Sequence, residues 1–373
     1  METRLNSERD LQIVAKFRVL DLEWRISGMP VDLIETFSRV HAPLRVSEVE
    51  NNTRPTTLQF HLNEEGPDGI QLTHPDGSQH RLLTPPWTYP DLHMAVLNDL
   101  YNRVEHHWLL HGAALAYEGR GLAILGASGL GKSTLSLALA SRGWSLLSDE
   151  FAAVAHDDGR LWPFPRLPGS RHQKAEDWWS VPDFSGGEKW FPPPEYLTFA
   201  HEPIALTAIV LLSVPDSVNL GLHVAIRSST AADEFAREAN TRGMSLIDQG
   251  VRPPFYWLRF GGEEAPILEL CREWDKEVIY TERIASPPCA ADWRRAPRIE
   301  PVTGSAATLA LLAAARNRGR NSRLLATRAN RLDRLLFEIG KVVGRIPVYQ
   351  LQVGELGTSL DCIEQLLLNN HKP

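Results

Sequence analysis

Hydrophobic and polar positions in residues 1–100 follow two different periods. Residues 15–28 partly alternate as a strand does, whereas residues 30–41 place apolar side chains at helical spacing behind a proline. Residues 54–83 then contain two strand-like runs, which are divided by Gly-Pro-Asp-Gly and followed by Pro-Asp-Gly. The pattern predicts a small N-terminal α/β module over residues 1–100, and it does not indicate what this module does.

The pattern becomes more regular towards the middle of the chain. Residues 91–112 are spaced as a helix that ends near Gly112. Two short apolar strands then flank a Glu-Gly-Arg-Gly turn, a compact helix ends at Gly143, and another buried strand follows. Strands that alternate with helices in this way are typical of an α/β fold, which we expect over residues 101–373.

The remaining segments are predicted more coarsely. Proline, glycine and tryptophan dominate residues 163–203, a composition that suits a long functional loop. The other predictions are a hairpin that turns at Asp157-Asp158-Gly159, a buried strand over 203–214, an insertion with two plausible helices over 215–300, strongly helical structure over 302–344, and a closing strand and helix over 346–370.

Composition and charge narrow the class of protein. Hydrophobic residues make up 43% and charged residues 23% of the chain, as in globular proteins. The net charge of −7 argues against a general nucleic-acid binder, which needs a basic surface. Three scattered cysteines suggest neither a zinc site nor a disulfide framework. The opening residues are charged and no apolar run reaches membrane length, so we expect a cytoplasmic protein without membrane contact.

A phosphate-binding loop is the strongest motif. Residues 126–133 satisfy G-x-x-x-x-G-K-[S/T], with an apolar strand before the loop and a helix after it. Glycines let backbone N–H groups turn towards a phosphate, and the helix N-terminus stabilises the same anion. A glycine-rich turn without a nucleotide is the alternative. The predicted ATP site consists of Gly126, Ala127, Ser128, Gly129, Leu130, Gly131, Lys132, Ser133 and Thr134, in which Lys132 contacts the β and γ oxygens and Ser133 contacts Mg²⁺.

An acidic pair, Asp149 and Glu150, ends the strand that follows the phosphate-loop helix. Ligands of open α/β sheets bind at this end of the strands. In phosphoryl transfer, one carboxylate can take the proton from the attacking hydroxyl while another helps to hold Mg²⁺. We therefore predict Asp149 as the general base and Ser133, Asp149 and Glu150 as metal ligands. A helix N-cap or a solvated strand end is the alternative interpretation of the pair.

Two basic residues after the core and one histidine before it are further candidates. Arg166 and Lys174 lie in a flexible-looking segment, where they can close over the phosphates, with ordinary surface placement as the alternative. His111 stands before the strand pair, where histidines also serve packing or capping. A metal site with the neighbouring His106 and His107 is a weaker alternative, because no acidic third ligand is apparent.

Aromatic and arginine-rich segments leave several interpretations open. The pairs Trp178/Trp179 and Trp190/Phe191 suit a lid or an acceptor groove, and equally suit core packing. The arginines between residues 316 and 334 suit an acidic peptide, an oligomer partner or a solvated helix face. These arginines are Arg316, Arg318, Arg320, Arg323, Arg328, Arg331 and Arg334.

The order of the central motifs resembles the catalytic core of the HPr kinase/phosphorylase family, whose P-loop core is similar to that of phosphoenolpyruvate carboxykinase. The shared features are His-Gly, two strands with a Gly-x-Gly turn, the phosphate loop, one helix and an acidic pair, between about Leu109 and Val154. The resemblance implies that His111 assists in the phosphate site and that Asp149 activates the acceptor hydroxyl. Glu150 stands where the family has a second aspartate.

The resemblance also narrows the expected substrate. The family's Leu-Glu-x-Arg-Gly-x-Gly segment is absent, and Trp-Pro-Phe-Pro-Arg-Leu-Pro-Gly-Ser occupies about that place. The chain therefore looks more like the divergent HPr-kinase-related proteins associated with peptide modification. This implies an ATP- and Mg²⁺-dependent serine kinase that acts on a peptide or small protein. A kinase of small-molecule hydroxyls and a non-catalytic nucleotide-binding regulator are the alternatives, and a homo-oligomer is left open.

Overall fold

A computed structural model provides the structure of the chain. It describes residues 13–20, 22–28, 30–44, 56–64, 69–85, 88–101, 103–104, 106–127, 129–171, 175–183, 187–213, 220–252, 255–261, 264–274, 276–285, 294–315 and 331–369. Within this part of the chain, no helix combines the length and the apolar character needed to cross a membrane.

Within the described residues, the N-terminal module contains a five-stranded sheet with two α-helices. Alternate side chains of its second strand are buried, as the period-2 pattern predicts. The first two strands form an antiparallel hairpin, and the second pairs in parallel with the third. The elements are β1 (Ile13–Val19), β2 (Leu22–Gly28), α1 (Val31–Val40), β3 (Thr56–Glu64), β4 (Ile70–Thr73), β5 (Gln79–Arg81) and α2 (Thr88–Tyr101).

The central sheet has eight strands. Its middle is a parallel trio of β7, β13 and β19, and β6 pairs antiparallel with β7. β10 pairs with both β9 and the start of β13, so the sheet curls back on itself. The strands are β6 (His107–Tyr117), β7 (Arg120–Leu125), β8 (Ser145–Ser148), β9 (Phe151–Ala155), β10 (Arg160–Trp162), β13 (Ile204–Ser213), β18 (Arg298–Val302) and β19 (Val348–Gln352).

Helices cover both faces of this sheet, so the fold is mixed α/β. Leu122 and Ile124 of β7 pack in one apolar cluster with α3 and α8, whereas Ala123 and Leu125 pack in another with α6 and α7. The alternation along β7 thus fixes which face each helix covers. The helices are α3 (Lys132–Ser141), α6 (Gly304–Ala314), α7 (Arg331–Arg345) and α8 (Leu356–Asn369).

The N-terminal module shares a core with the central sheet. Phe17 and Trp24 of its sheet belong to the same buried cluster as Leu109 of β6, Phe151 of β9 and Phe164. A hairpin of β11 (Trp179–Asp183) and β12 (Gly187–Phe191) contributes Val181 and Phe191 to this cluster. The residues at this end of the central sheet therefore have close neighbours in the N-terminal module.

Residues 220–285 form a separate four-stranded antiparallel sheet with its own apolar cluster. The order along the chain is β-α-β-β-α-β and the order across the sheet is β15-β16-β14-β17, which is the ferredoxin-like arrangement. This unit lies between β13 and β18, within the range predicted as an insertion. Its elements are β14 (Leu220–Ile226), α4 (Ser229–Thr241), β15 (Ser245–Arg252), β16 (Phe255–Gly261), α5 (Glu264–Glu273) and β17 (Val278–Ala285).

Two predictions about the local structure were wrong. The helix predicted to reach Gly112 ends at Tyr101, and residues 107–117 form β6 instead. Nine of the eleven β6 residues are buried, and a continuous buried run of this kind cannot be distinguished from a buried helix by its period. The loop predicted over residues 163–203 contains β11 and β12, because its aromatic residues pack as strand residues against the core.

Candidate functional site

The phosphate loop joins β7 to α3 and takes the conformation that its glycines permit. Gly131 caps α3 with φ +89°, a left-handed conformation that other residues adopt at a cost. The Lys132 side chain is buried, and its Nζ donates hydrogen bonds to the carbonyl oxygens of Gly126 (2.8 Å) and Ala127 (3.0 Å). The Lys132 ammonium is therefore held against the backbone of the loop.

Other members of the predicted loop differ in their surroundings. Gly129 has φ +84°, Leu130 packs in the core beneath the loop, and Thr134 is exposed on α3. Ser128 lies outside the described residues, as does Lys174.

The structure brings the loop and the acidic pair together. Ser133 Oγ donates a hydrogen bond to Asp149 Oδ2 at 2.9 Å. Asp149 is only 6% exposed, and its second oxygen, Oδ1, has no hydrogen-bond partner among the described residues. A buried carboxylate oxygen without a protein partner is costly unless a cation or another donor is bound there. The pair of Ser133 and Asp149 therefore fits a cation ligated by a hydroxyl and a carboxylate.

Burial raises the pKa of the Asp149 carboxyl above its ordinary value. The nearby charges of Lys189 and Arg166 act in the opposite direction, and so does the hydrogen bond from Ser133. A carboxylate with a raised pKa accepts a proton more readily than an ordinary aspartate does.

The acidic pair lies in a short turn between β8 and β9. The buried Ser148 Oγ accepts hydrogen bonds from the backbone N–H groups of Glu150 (3.1 Å) and Phe151 (3.0 Å). The Glu150 carbonyl in turn accepts a hydrogen bond from the Gly112 N–H at 3.0 Å. These bonds tie the backbone of the turn to both β9 and β6.

Glu150 is contacted on two sides, by an arginine and by a histidine. Arg166 Nη1 donates a hydrogen bond to Glu150 Oε2, and His111 Nδ1 lies 3.7 Å from Glu150 Oε1. Burial opposes ionisation of Glu150, but Arg166 and the neighbouring cations prevail and hold its pKa well below the usual range. The structure thus places His111 and Arg166 beside the acidic pair. Arg166 is buried, not on the surface, with 4% of the residue exposed.

Two histidines of the N-terminal module complete this network, and sequence reasoning missed both. His93 Nε2 of α2 lies 3.1 Å from Arg166 Nη1. His41, at the end of α1, stacks on Phe37 at 4.2 Å between ring centroids and lies 5.3 Å from the His93 ring. Burial, reinforced by the charge of Arg166, lowers the pKa of His41 to about 3 and that of His93 well below 6.5. Both rings are therefore neutral near pH 7.

Lys189 of β12 is a third residue that the sequence did not reveal. Its positive charge favours the ionised forms of both Asp149 and Glu150 and so lowers the pKa of each. The only sequence signal is one lysine in a glycine- and tryptophan-rich segment, which does not distinguish a functional residue from a solvated one.

The structure does not bring the three histidines together as a metal site. His107 and His111 both lie in β6, four residues apart, and His107 packs against Trp162. Across the described residues, no group of three histidine, cysteine or carboxylate side chains is placed to hold a metal ion. The residues that fit a cation are instead Ser133 and Asp149.

A scan against protein-family models finds no match to the chain, and a search of curated proteins finds no significant similarity.

Proposed function

We propose that this chain is an ATP-dependent kinase with a P-loop kinase core of the HPr kinase type, which phosphorylates a serine hydroxyl on a peptide or small protein. The observation that carries the proposal is the hydrogen bond between Ser133 of the phosphate loop and Asp149. It joins the predicted phosphate-binding loop to a buried carboxylate, and phosphoryl transfer needs both groups in one site. The resemblance to the peptide-modifying branch of the family supplies the acceptor class.

The proposed reaction is a direct transfer. The acceptor hydroxyl oxygen forms a bond to the γ-phosphorus, and the bond from that phosphorus to the β–γ bridging oxygen breaks. The hydroxyl proton passes to the Asp149 carboxylate, and the electron pair of the broken bond leaves with ADP. Lys132 and the backbone N–H groups of the loop stabilise the charge on the phosphoryl oxygens. Mg²⁺, when bound to Ser133 and Asp149, would supply further charge neutralisation at the phosphates.

Arg166 and His111 support the acidic pair in this proposal. Arg166 binds Glu150, which follows Asp149 directly in the chain, and so restrains the turn that carries the base. His111 contacts the other oxygen of Glu150. We assign Glu150 the role of holding Arg166, and its predicted role as a metal ligand remains a prediction.

The proposal is tested with serine-containing peptides. The chain is incubated with Mg-ATP and a library of such peptides, and intact-mass spectrometry detects an increment of about 80 Da, the mass of one phosphoryl group. The same peptides with serine replaced by alanine are the control for the acceptor. Small-molecule alcohols are assayed in parallel, and transfer to these alone would refute a peptide kinase.

A variant of the base separates catalysis from nucleotide binding. Asp149→Asn should lower transfer by about 10²-fold or more, because the loss of a general base typically costs 10²–10⁴-fold. ATP binding, measured by calorimetry without Mg²⁺, should change little. Lys132→Ala is the matched control and should weaken binding itself. A wild-type chain that binds ATP and transfers phosphate to nothing would support a nucleotide-binding regulator instead.

A further inference from the structure

One histidine of the N-terminal module contacts the candidate site directly. His93 Nε2 lies 3.1 Å from Nη1 of Arg166, and the same Nη1 donates a hydrogen bond to Glu150. A guanidinium has only N–H donors, so the ring nitrogen that faces it has to be the acceptor. His93 is therefore neutral and carries its proton on Nδ1, because the other tautomer would set two N–H donors against each other.

The two contacts use both hydrogens of one nitrogen. Arg166 Nη1 carries two N–H bonds, of which one serves Glu150 Oε2 and the other serves His93 Nε2. A carboxylate and an imidazole on the same nitrogen together restrain the plane of the guanidinium. The imidazole thus helps to decide how Arg166 meets Glu150.

The N-terminal module also holds the backbone next to Arg166. Leu167 N donates a hydrogen bond to the carbonyl oxygen of Val40, the last residue of α1, at 3.2 Å. Phe164 and Leu167 are buried in the same apolar cluster as the core residues of the module. Because the arginine lies in this packed region, a change in its orientation has to displace its neighbours.

The helix that carries His93 is itself anchored on both sides of this residue. Asp91 Oδ2 lies 2.9 Å from His80 Nε2, two residues before His93 in α2. Asp99 Oδ2 lies 2.6 Å from His74 Nδ1, six residues after it. His74 and His80 belong to the β4–β5 hairpin, so α2 is bonded to the sheet of the module at two points. The imidazole therefore reaches the arginine from a fixed support.

We propose that the N-terminal module takes part in the proposed reaction through His93, which is a positioning residue for Arg166. The inference rests on the proposed function and gives a role to a module whose sequence indicates none. His93 touches no reacting atom in this proposal. It supplies the hydrogen-bond acceptor that keeps the guanidinium on Glu150, the residue that follows the general base Asp149 in the chain.

The kinetic test replaces His93 by a residue without an acceptor and by a residue with one. With the peptide substrate of the proposed kinase, His93→Leu should lower kcat by about 10-fold or more, since misplacement around a catalytic group is costly. The KM for Mg-ATP should stay nearly unchanged, because Lys132 and its loop are not altered. His93→Gln should recover most of the lost kcat, because the glutamine Oε1 is an acceptor at about the position of Nε2.

His74→Leu is the matched control. It breaks the ion pair with Asp99 on the same helix, six residues away from His93, and kcat should equal the wild-type value. Calorimetry gives the fraction of each variant that binds nucleotide, and kcat is expressed per binding site. A packing role for the ring would lower the stability of His93→Leu in urea unfolding and leave kcat per site unchanged.

Nitrogen NMR tests the contact itself without any turnover. The protein is isotopically labelled in its histidine rings, and His93 is identified by the signals that disappear in His93→Gln. In the wild-type chain at pH 7, the His93 ring should be neutral, with the proton on Nδ1. Arg166→Met should weaken this preference, because it removes the donor that selects the tautomer.

Three results would each overturn the inference. They are a proton on Nε2 of His93, a His93→Leu variant with the wild-type kcat per site, and a His93→Gln variant as slow as His93→Leu. A change confined to the KM for Mg-ATP would place His93 in nucleotide binding and overturn it as well. A wild-type chain that transfers phosphate to no acceptor would refute the proposed function, and with it any role of His93 in that reaction. An active wild type with one of the earlier results would refute this inference alone.

Discussion

The ion pair between Arg166 and Glu150 allows a quantitative prediction about how the site is stabilised. Their side chains are 5% and 20% exposed, so removal of one partner leaves the other as an uncompensated, largely buried charge. Breaking a buried pair in this way typically costs about 3–5 kcal/mol. Because Glu150 retains some solvent contact and the nearby His111, we expect Arg166→Met to cost about 3 kcal/mol, the lower end of that range.

The double variant distinguishes charge burial from lost packing. Arg166→Met combined with Glu150→Gln removes both charges, so it should recover about 2 kcal/mol relative to Arg166→Met alone. The assay is urea unfolding at pH 7 followed by circular dichroism, with wild type, both single variants and the double variant compared at equal ionic strength. Total stabilities of about 5–15 kcal/mol make a difference of 3 kcal/mol measurable.

Two results would refute this reasoning. A loss below about 1 kcal/mol for Arg166→Met would mean that Glu150 is hydrated or paired elsewhere when the arginine is removed. A double variant no more stable than Arg166→Met would mean that the arginine stabilises the protein by packing and by its contact with His93, and not by balancing the carboxylate.

Two further predictions concern the surroundings of the site. The pKa of His41 is about 3 in the folded protein and 6.5 in the unfolded chain. Below pH 6.5 the unfolded chain therefore binds a proton that the folded protein does not bind. The free energy of unfolding falls as a result, by about 2 kcal/mol at pH 5. His41→Phe should reduce the loss of unfolding free energy between pH 7.5 and pH 5 by that amount, and parallel pH curves for the two proteins would contradict the assignment. Gly112→Ala should cost about 2–3 kcal/mol in urea unfolding, because its Cβ would lie 2.3 Å from the backbone oxygen of Ile124. Gly340→Ala in α7, where nothing lies within 4 Å of the new Cβ, should instead stabilise by about 0.5–1 kcal/mol, and equal effects at the two glycines would disprove the steric account.

The parts of the site that are local in sequence could be predicted. The phosphate loop and the acidic pair are separated by one helix and one strand. β7 and β8 both pair antiparallel with β6 and therefore run in the same direction, so the chain leaves both strands at the same edge of the sheet. The helix from Lys132, the strand ending at Ser148 and the hairpin after it were predicted correctly for the same reason. Each rests on short-range periodicity and on turn residues.

The residues of the site that are distant in sequence from the phosphate loop and the acidic pair could not be predicted. His41 and His93 belong to helices whose buried faces look like ordinary core positions, and only tertiary packing brings them to Arg166. The sequence predicts Arg166 as a candidate phosphate contact, but nothing in its surroundings along the chain indicates a buried ion pair. Lys189 lies in the hairpin of β11 and β12. The proline and glycine content of this segment predicts an irregular loop, so the position of Lys189 could not be predicted.

The first and last strands of the ferredoxin-like unit are neighbours in its sheet, with Leu220 paired to Ala285. The polypeptide therefore leaves the host sheet after β13 and re-enters before β18 through two adjacent ends, so the unit meets the geometric condition for grafting or excision as one block. Joining two close ends costs little chain entropy. Such a block can be exchanged in evolution, or removed in the laboratory, while the phosphate loop and its acidic partner stay in place.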